Sequence, residues 1–332
     1  MSNEKHVAVV GATGAVGAEM LKCLEQRSFP VGTLTPLASA RSAGKRVSFK
    51  GDQVEVRELT PDSFKGVDVA LFSAGSGISR DFARHAVEAG AIVVDNSSAF
   101  RMDEGVPLVV PEVNGGDVEN HSGIIANPNC TTIVTLMALY PLHREFGVRR
   151  LIASSYQAVS GSGAQGVIEL ESQLKALATG AAVEKNIYPH QIANNVIPQV
   201  DVFLENGYTK EEMKMQHEGR KIMHVPDFVA SVTCVRVPVY RSHSVAVSAS
   251  FEKPVDLARA RGCIEATPGV RVIDDPGSGL YPTPLDATEG DDCLVGRMRR
   301  DLVFENGISF WVVGDQVRKG AALNAVQIAE LL

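Results

Sequence analysis

Cys130 is the residue of this sequence best placed to act as a nucleophile. It lies in the segment NPNCTT, which starts at Asn127 and separates a predicted strand from a predicted helix. A cysteine at a helix N-terminus meets the positive end of the helix dipole and unpaired amide N–H groups, which favour the reactive thiolate and could hold a developing oxyanion. An inert, buried thiol is the better interpretation for Cys23 and stays open for Cys234.

A nucleophilic thiol needs a partner that moves protons, and the sequence has eight histidines. Spacing alone does not choose among them, although His243 lies at a predicted strand end, a reasonable place for a catalytic group. His217, Glu218 and His224 resemble a zinc motif only superficially, because the second histidine comes seven residues after the first instead of four. We predict no metal site, and the five cysteines contain no CxxC pair.

Gly11, Gly14 and Gly17 form a GxxGxxG turn between the apolar run His6–Val10 and a run with helical spacing. Glycines at such a turn let the backbone approach a pyrophosphate, which sits on the amides of the following helix. A tight strand–helix turn without a ligand is the alternative. The position inside a strand–turn–helix unit favours nucleotide binding.

The end of the second predicted strand indicates which dinucleotide binds. A site for NAD usually has an acidic residue there, which accepts a hydrogen bond from the ribose 2′-hydroxyl. This sequence has Ser39, Arg41 and Ser42 at that point and no carboxylate. An arginine with nearby hydroxyls suits a 2′-phosphate, so we predict NADP; an exposed loop arginine is the alternative.

Predicted strands and helices alternate over about the first 130 residues, which favours a parallel, doubly wound sheet. Beyond a helix that carries Val167 and Leu170, the chain is rich in predicted strands and alternates less. This pattern indicates a second α+β domain with a more antiparallel sheet. The last segment, 320–332, reads as an apolar helix, which we expect to pack back on the first domain.

The composition is that of a globular protein. The chain has 332 residues, 45% of them hydrophobic and 21% charged, with a net charge of −7. These values exclude a disordered chain, a fibre and a coiled coil, and they do not favour nucleic-acid binding. We see no signal peptide and no apolar run long enough for a membrane helix. Five cysteines, an odd number, suit a reducing compartment, so we expect a cytoplasmic protein.

Five motifs together resemble the aspartate-β-semialdehyde dehydrogenases. They are, in chain order, GATGAVG from Gly11, NPNCTT from Asn127, SSYQAVSGSG from Ser154, HEGRK from His217 and RVPVYRSHS from Arg236. The resemblance implies a Rossmann-type, doubly wound parallel-sheet domain for NADP in residues 1–129 plus 315–332. It also implies an α+β catalytic and oligomerisation domain, with a mixed, largely antiparallel sheet, in residues 130–314.

That family makes L-aspartate-4-semialdehyde and phosphate from L-aspartyl-4-phosphate with NADPH, through a cysteine thioester. The step leads toward threonine, methionine and, through diaminopimelate, lysine. The resemblance therefore implies a small-molecule substrate and no nucleic-acid or membrane partner. It also suggests a homodimer or a tetramer.

Matching positions imply a role for single residues. Cys130 matches the nucleophile, His243 the acid/base group and Gln157 a residue that helps to orient the acyl intermediate. Arg236 matches the arginine that grips the α-carboxylate, where planar, bidentate recognition favours arginine over lysine. Glu218 matches the acidic residue at the substrate ammonium.

Two further sets of residues follow from the resemblance. Arg101, Asn129 and Lys221 match the site for the phosphate. The implied cofactor contacts are Gly11, Thr13, Gly14, Ala15, Val16, Ser39, Arg41, Ser42, Ser160, Gly161 and Gln316.

Four other functions fit the sequence less well. N-acetyl-γ-glutamyl-phosphate reductase uses the same covalent mechanism, but its substrate has no ammonium group with which Glu218 could form an ion pair. A glyceraldehyde-phosphate-type dehydrogenase fits less well, because the start of the chain lacks its fingerprint. A cysteine hydrolase has no need of the nucleotide turn, and a redox-sensing NADP-binding protein has no need of Arg236.

Overall fold

A computed structural model of the protein describes residues 4–332. The backbone divides into two compact units. One is formed by residues up to Asn129 together with Ala321–Leu332, and the other by Cys130–Gly320. Each unit has a six-stranded sheet of its own.

The first unit is built on a parallel sheet. Its strands are β1 (Lys5–Val10), β2 (Val31–Ala38), β3 (Arg46–Phe49), β4 (Asp52–Glu55), β5 (Arg57–Glu58), β6 (Val69–Phe72), β7 (Ile92–Asp95) and β8 (Ile124–Ala126). Its first three helices are α1 (Ala15–Gln26), α2 (Ser76–Glu88) and α3 (Pro111–Asn114). The sheet order is β5-β2-β1-β6-β7-β8 with every neighbouring pair parallel, while β3 and β4 form a separate hairpin.

Both faces of this sheet are covered, as the sequence of β1 requires. Val7 and Val9 belong to one apolar cluster, and Ala8 and Val10 belong to another. Because successive side chains of a strand point to opposite faces, a run of apolar residues is stable only where both faces are packed. The four buried residues of β6 follow the same rule.

The second unit is built on a mixed sheet. Its helices are α4 (Cys130–Phe146), α5 (Ala164–Thr179), α6 (Lys210–Met223), α7 (Leu257–Glu265) and α8 (Pro284–Ala287). Its strands are β9 (Val148–Gln157), β10 (Val229–Arg236), β11 (His243–Phe251), β12 (Val270–Val272), β13 (Cys293–Arg300) and β14 (Gly307–Gly314). The order is β10-β9-β11-β14-β13-β12, in which β10–β9 and β12–β13 are parallel and the three central pairs are antiparallel.

The last helix, α9 (Leu323–Glu330), belongs to the first unit. Its apolar face joins the cluster that contains residues of α1 and β1. Two hydrogen bonds of 2.6 Å from the Arg27 guanidinium to the Glu330 carboxylate fix its end. Within α9, buried Asn324 donates to the carbonyl of Val109 at 2.9 Å and to the side chain of Asn127 at 2.7 Å.

The predicted fold class, a doubly wound parallel sheet with a second, mixed and largely antiparallel sheet, is confirmed. One element boundary differs. The regular part of the terminal helix begins at Leu323, because residues Arg318–Ala322 form a wider π-helical turn.

Candidate active site

Three strand ends meet at one edge of the second sheet. β9 ends at Gln157, β10 ends at Arg236, and β11 begins at His243. The parallel register pairs Arg236 with Gln157, and the antiparallel register pairs Ser244 with Tyr156. Topology therefore brings together three of the predicted site residues.

Cys130 is the first residue of α4 and is partly exposed. The chain passes very close to it at Gly320, where an added Cβ would lie 2.8 Å from the Cys130 Cβ. Gln157 Nε2 donates to the Thr131 hydroxyl, next in sequence to the cysteine, at 3.1 Å. The helix start is thus tied to the edge where the strands end, and only a glycine fits opposite the thiol.

The orientation of the Gln157 amide is set by a carboxylate. Its Nε2 donates to Glu211 Oε1 at 3.2 Å and lies 3.3 Å from the Ser155 hydroxyl. Because an ionised carboxylate only accepts hydrogen bonds, the amide nitrogen must face Glu211. Lys214 donates to the other Glu211 oxygen at 2.7 Å. The carbonyl oxygen of Gln157 is therefore the end of the amide that is turned away from Glu211.

Sequence reasoning did not single out Glu211 and Lys214. The predicted pair, Glu218 and Lys221, lies on the same helix with the same spacing of three residues. Glu218 is buried, but it lies seven residues after Glu211, about 10 Å further along the helix axis. A capping box, in which Thr209 and Glu212 exchange hydrogen bonds, was the available signal for this helix.

His243 is completely buried, and its Nδ1 accepts a hydrogen bond from the Ala158 amide at 3.1 Å. Since that nitrogen accepts, the proton of the neutral ring is on Nε2. Within the described residues Nε2 has no hydrogen-bond partner. Burial first, and then the nearby Arg236 guanidinium, lower the pKa of His243 to about 3. The ring is therefore a neutral donor near neutral pH.

Arg236 is a buried cation, 5% exposed. Its Nη1 donates to the Ala158 carbonyl at 2.6 Å, and no carboxylate within residues 4–332 forms an ion pair with it. Gly161 makes room for it, because a Cβ there would lie 2.7 Å from Nη1 and 3.2 Å from the His243 ring. A desolvated guanidinium of this kind favours an anionic ligand.

The turn before His243 is held in a strained conformation. Ser242 has φ of +73° and is buried. Its amide donates to Gln316 Oε1 at 2.8 Å, and Gln316 Nε2 donates to the Ser160 hydroxyl at 2.5 Å. An ion pair of 2.6 Å joins Arg241 to the buried Asp315. Ser160 and Gln316 thus contact each other, and their predicted cofactor contacts stay predictions.

The glycine turn of the first unit has the features of a phosphate cradle. Gly11 has φ of +86°, and a Cβ on Gly17 would lie 2.2 Å from the Gly11 carbonyl oxygen. No side chain caps α1, and its first turn has no acidic residue. Thr13, Gly14 and Ala15 are exposed at this end, with Val16 half-buried. Open amides at a helix N-terminus fit a pyrophosphate.

The predicted 2′-phosphate residues follow β2 directly. Ser39 and Arg41 are exposed and Ser42 is half-buried, in a 3₁₀ turn over Ala40–Ser42. The Arg41 guanidinium makes no ion pair within the described residues, so it is available to a phosphate.

Arg101 and Asn129 lie after the carboxyl ends of β7 and β8, where doubly wound sheets bind ligands. Both are buried. Arg101 donates to the carbonyls of Asn127 at 2.9 Å and Asn96 at 3.1 Å. The backbone of both loops therefore fixes the arginine.

Two family models match the chain. Residues 6–121 match the NAD-binding domain of the semialdehyde dehydrogenases, and residues 139–319 match the dimerisation domain of the semialdehyde dehydrogenases. The first model covers the glycine turn, and the second covers the edge where Gln157, Arg236 and His243 meet. The protein class is therefore that of the semialdehyde dehydrogenases.

Individual relatives narrow this class. The aspartate-semialdehyde dehydrogenase of Bacillus subtilis strain 168 is 51% identical over 340 residues, which cover 100% of this chain and 98% of the relative. The crystal structure of aspartate semialdehyde dehydrogenase II from Vibrio cholerae complexed with ASA has 46% identity and a TM-score of 0.97, covering 100% and 98%. The crystal structure of aspartate semialdehyde dehydrogenase with NADP from Candida albicans has 25% identity and a TM-score of 0.78, covering 99% and 98%. The chain belongs to the aspartate-semialdehyde dehydrogenase family.

The predicted family and enzyme class are thereby confirmed, and the chain is an oxidoreductase of amino-acid biosynthesis with a domain of the NAD(P)-binding type. Among the helices of residues 4–332, none has the length and apolarity to cross a bilayer. In the same residues, no group of three or more His, Cys, Asp or Glu side chains is arranged to hold a metal ion.

Proposed function

We propose that this chain converts L-aspartyl-4-phosphate to L-aspartate-4-semialdehyde and phosphate with NADPH, through a thioester on Cys130. The observation that carries the proposal is the sheet edge of the second unit, where Gln157, Arg236 and His243 meet beside the start of α4. A thiol nucleophile, a proton donor and an unpaired buried cation are the groups that this covalent chemistry needs.

In the first half of the reaction the Cys130 thiolate attacks the acyl carbon of the substrate. The carbon–sulfur bond forms, and the bond from that carbon to the phosphate oxygen breaks, so the phosphate leaves with the electron pair. Amides at the start of α4 are suited to the oxyanion of the tetrahedral state. We assign the departing phosphate to Arg101 and Asn129, together with Lys214, which contacts Glu211, or with Lys221, which the resemblance implies.

In the second half the thioester is reduced. A reduced nicotinamide, when bound, supplies one hydride to the thioester carbon, which turns the carbonyl oxygen into an alkoxide. The Nε2–H of His243 donates to that oxygen, while Gln157 holds the acyl group. As the carbonyl forms again, the carbon–sulfur bond breaks and the electron pair returns to the Cys130 sulfur.

Two charges recognise the amino-acid end of the substrate. Arg236 binds the α-carboxylate, which supplies the anion that this buried guanidinium lacks. Glu211 is our assignment for the ammonium, because its carboxylate contacts the Gln157 amide. Glu218, implied by the resemblance, is the alternative for this role.

The predicted cofactor is NADP. The glycine turn and the uncapped N-terminus of α1 support a bound pyrophosphate, and Ser39, Arg41 and Ser42 support a 2′-phosphate. The Candida albicans structure was solved with NADP. We also assign Ser160, Gly161 and Gln316 to the cofactor.

We further propose how the chain is organised. Residues 1–129 plus 315–332 serve as the NADP-binding domain, and residues 130–314 serve as the catalytic and oligomerisation domain. The match of residues 139–319 to a dimerisation domain supports a homodimer, with a tetramer as the alternative. We propose a cytoplasmic location, since the substrates of this reaction are small metabolites.

The test is a spectrophotometric assay of the reverse reaction. Aspartate semialdehyde, inorganic phosphate and NADP are mixed with the protein, with N-acetylglutamate semialdehyde in a parallel cuvette. We expect phosphate-dependent NADPH formation with the first aldehyde alone. Turnover of the second aldehyde alone would identify an N-acetyl-γ-glutamyl-phosphate reductase. If neither aldehyde gives NADPH although NADP still binds to the protein, the proposed chemistry is contradicted.

A further inference from the structure

The guanidinium of Arg236 is flanked by an aromatic ring. Its central carbon lies 6.0 Å from the centroid of the Tyr188 ring, within reach of the attraction between a cation and an aromatic face. Nη1 is engaged by the Ala158 carbonyl. Nε and Nη2 donate to no protein group within residues 4–332, so this edge is left for a carboxylate.

Tyr188 is itself held at the hydroxyl end of its side chain. The half-buried phenol donates to the Val159 carbonyl at 3.3 Å. On the neighbouring helix, a Cβ on Gly166 would lie 2.6 Å from the Tyr188 hydroxyl oxygen. A glycine at that position leaves the space that the tip of the phenol fills.

A buried carboxylate holds the backbone that carries Tyr188. Residues 181–196 form no helix or strand, so their amides need other acceptors. Glu169, 5% exposed, accepts from the amides of Asn186 at 2.9 Å, Ile187, and Tyr188 at 3.4 Å. Such charge-assisted hydrogen bonds are stronger than neutral ones. The ring is thus placed by α5, which carries Glu169, and not by a strand.

We propose that Tyr188, held by Glu169, is a positioning residue that fixes the plane of the Arg236 guanidinium and so sets the affinity for the substrate α-carboxylate. This inference rests on the proposed function. The guanidinium lies over the Tyr188 ring, and the Ala158 carbonyl accepts from Nη1, so two protein contacts restrict rotation of the group. A guanidinium already in the plane of the incoming carboxylate loses less freedom when it binds.

The test compares steady-state kinetics of Tyr188→Ala, Tyr188→Phe and the unchanged protein in the reverse assay. Tyr188→Ala should raise the KM for aspartate semialdehyde about tenfold and leave kcat within about threefold. The KM values for phosphate and NADP should not change. Tyr188→Phe keeps the ring and should restore the KM. Tyr281→Ala, at an exposed tyrosine of the same unit, is the matched control.

Tyr188→Leu, which removes the ring but keeps an apolar side chain, should raise the same KM and replaces Tyr188→Ala if the latter does not fold. An unchanged KM in a folded Tyr188→Ala protein would overturn the inference. So would equal losses for all three substrates, which indicate a merely structural role. Lack of turnover by the unchanged protein would instead refute the proposed function.

Discussion

Two thiols of the second unit, Cys130 and Cys234, have opposite surroundings. Cys130 is partly exposed at a helix start. Cys234 is buried within β10, and burial, followed by the charge of Glu211, raises its pKa to about 12. A thiol that stays protonated is a poor nucleophile. The environment of each sulfur therefore separates the two roles.

We predict that Cys130→Ala lowers kcat at least ~1,000-fold, because no other group can form the thioester. NADPH binding, measured by fluorescence titration, should be unchanged. Cys234→Ala is the matched control and should keep most of the activity. Comparable turnover by the Cys130 variant would remove the nucleophile assignment.

The two glutamates of α6 considered for the substrate ammonium, Glu211 and Glu218, give a second prediction at the residue scale. Glu211→Gln should raise the KM for aspartate semialdehyde about 10- to 100-fold, the range for a lost hydrogen bond to a charged group. A fall in kcat should accompany it, since the Gln157 amide loses its carboxylate. Glu218→Gln should have a much smaller effect. A larger effect of Glu218→Gln than of Glu211→Gln on this KM would indicate that Glu218 binds the substrate ammonium.

At the scale of elements, we assign the selection of the cofactor to the turn after β2. We predict that Arg41→Ala raises the KM for NADP about tenfold or more and changes the KM for NAD little, because only NADP carries the 2′-phosphate. Arg46→Ala, also exposed and with the same change of charge, should leave both constants near their original values. An equal effect of Arg41→Ala on the two cofactors contradicts the assignment.

Strand–turn–helix units of the first unit were predictable, because apolar runs and glycines mark their boundaries locally. The functional face of helix α6 was not, because Glu211, Glu212 and Glu218 are buried on the same helix as Met215, Ile222 and Met223. Hydrophobic periodicity indicates such a helix, but it does not tell which of the polar side chains are buried. The capping box at Thr209 marks where the helix begins and gives no further information on the site.

In the candidate site, too, some residues were predictable from the sequence and others were not. A resemblance carried by short motifs pointed to Cys130, Gln157, Arg236 and His243, and the structure brings the last three to one sheet edge. The contact of Tyr188 with Arg236 could not be predicted from motifs, because Tyr188 lies in an irregular segment that side-chain contacts fix. Contacts of that kind depend on tertiary packing, which local sequence does not encode.

At the scale of the whole molecule, the buried His243 makes stability depend on pH. Its folded pKa, about 3, lies below the ordinary value of 6.5, so the unfolded chain binds a proton more readily. The stability that depends on a neutral His243 is fully present above pH 6.5 and is lost as the pH falls toward 3. At pH 5 the loss is about 2 kcal/mol.

We therefore predict that His243→Gln weakens the fall of the thermal midpoint between pH 7 and pH 5 by a few degrees. Scanning calorimetry of both proteins at the two pH values measures this. His217→Gln, at an exposed histidine, should behave like the unchanged protein. An identical pH dependence in the His243 variant would mean that the ring is already protonated in the folded state.

The place of α9 in the first unit has a consequence for synthesis on the ribosome. The core that contains β1 and α1 also needs Leu323, Val326 and Ile328, which follow the second unit in the chain. The second unit is one continuous stretch, Cys130–Gly320. The nascent chain can thus complete the second unit while the first still lacks a layer. The first unit, with its glycine turn, can therefore complete its core only after the whole of the second unit has been synthesised.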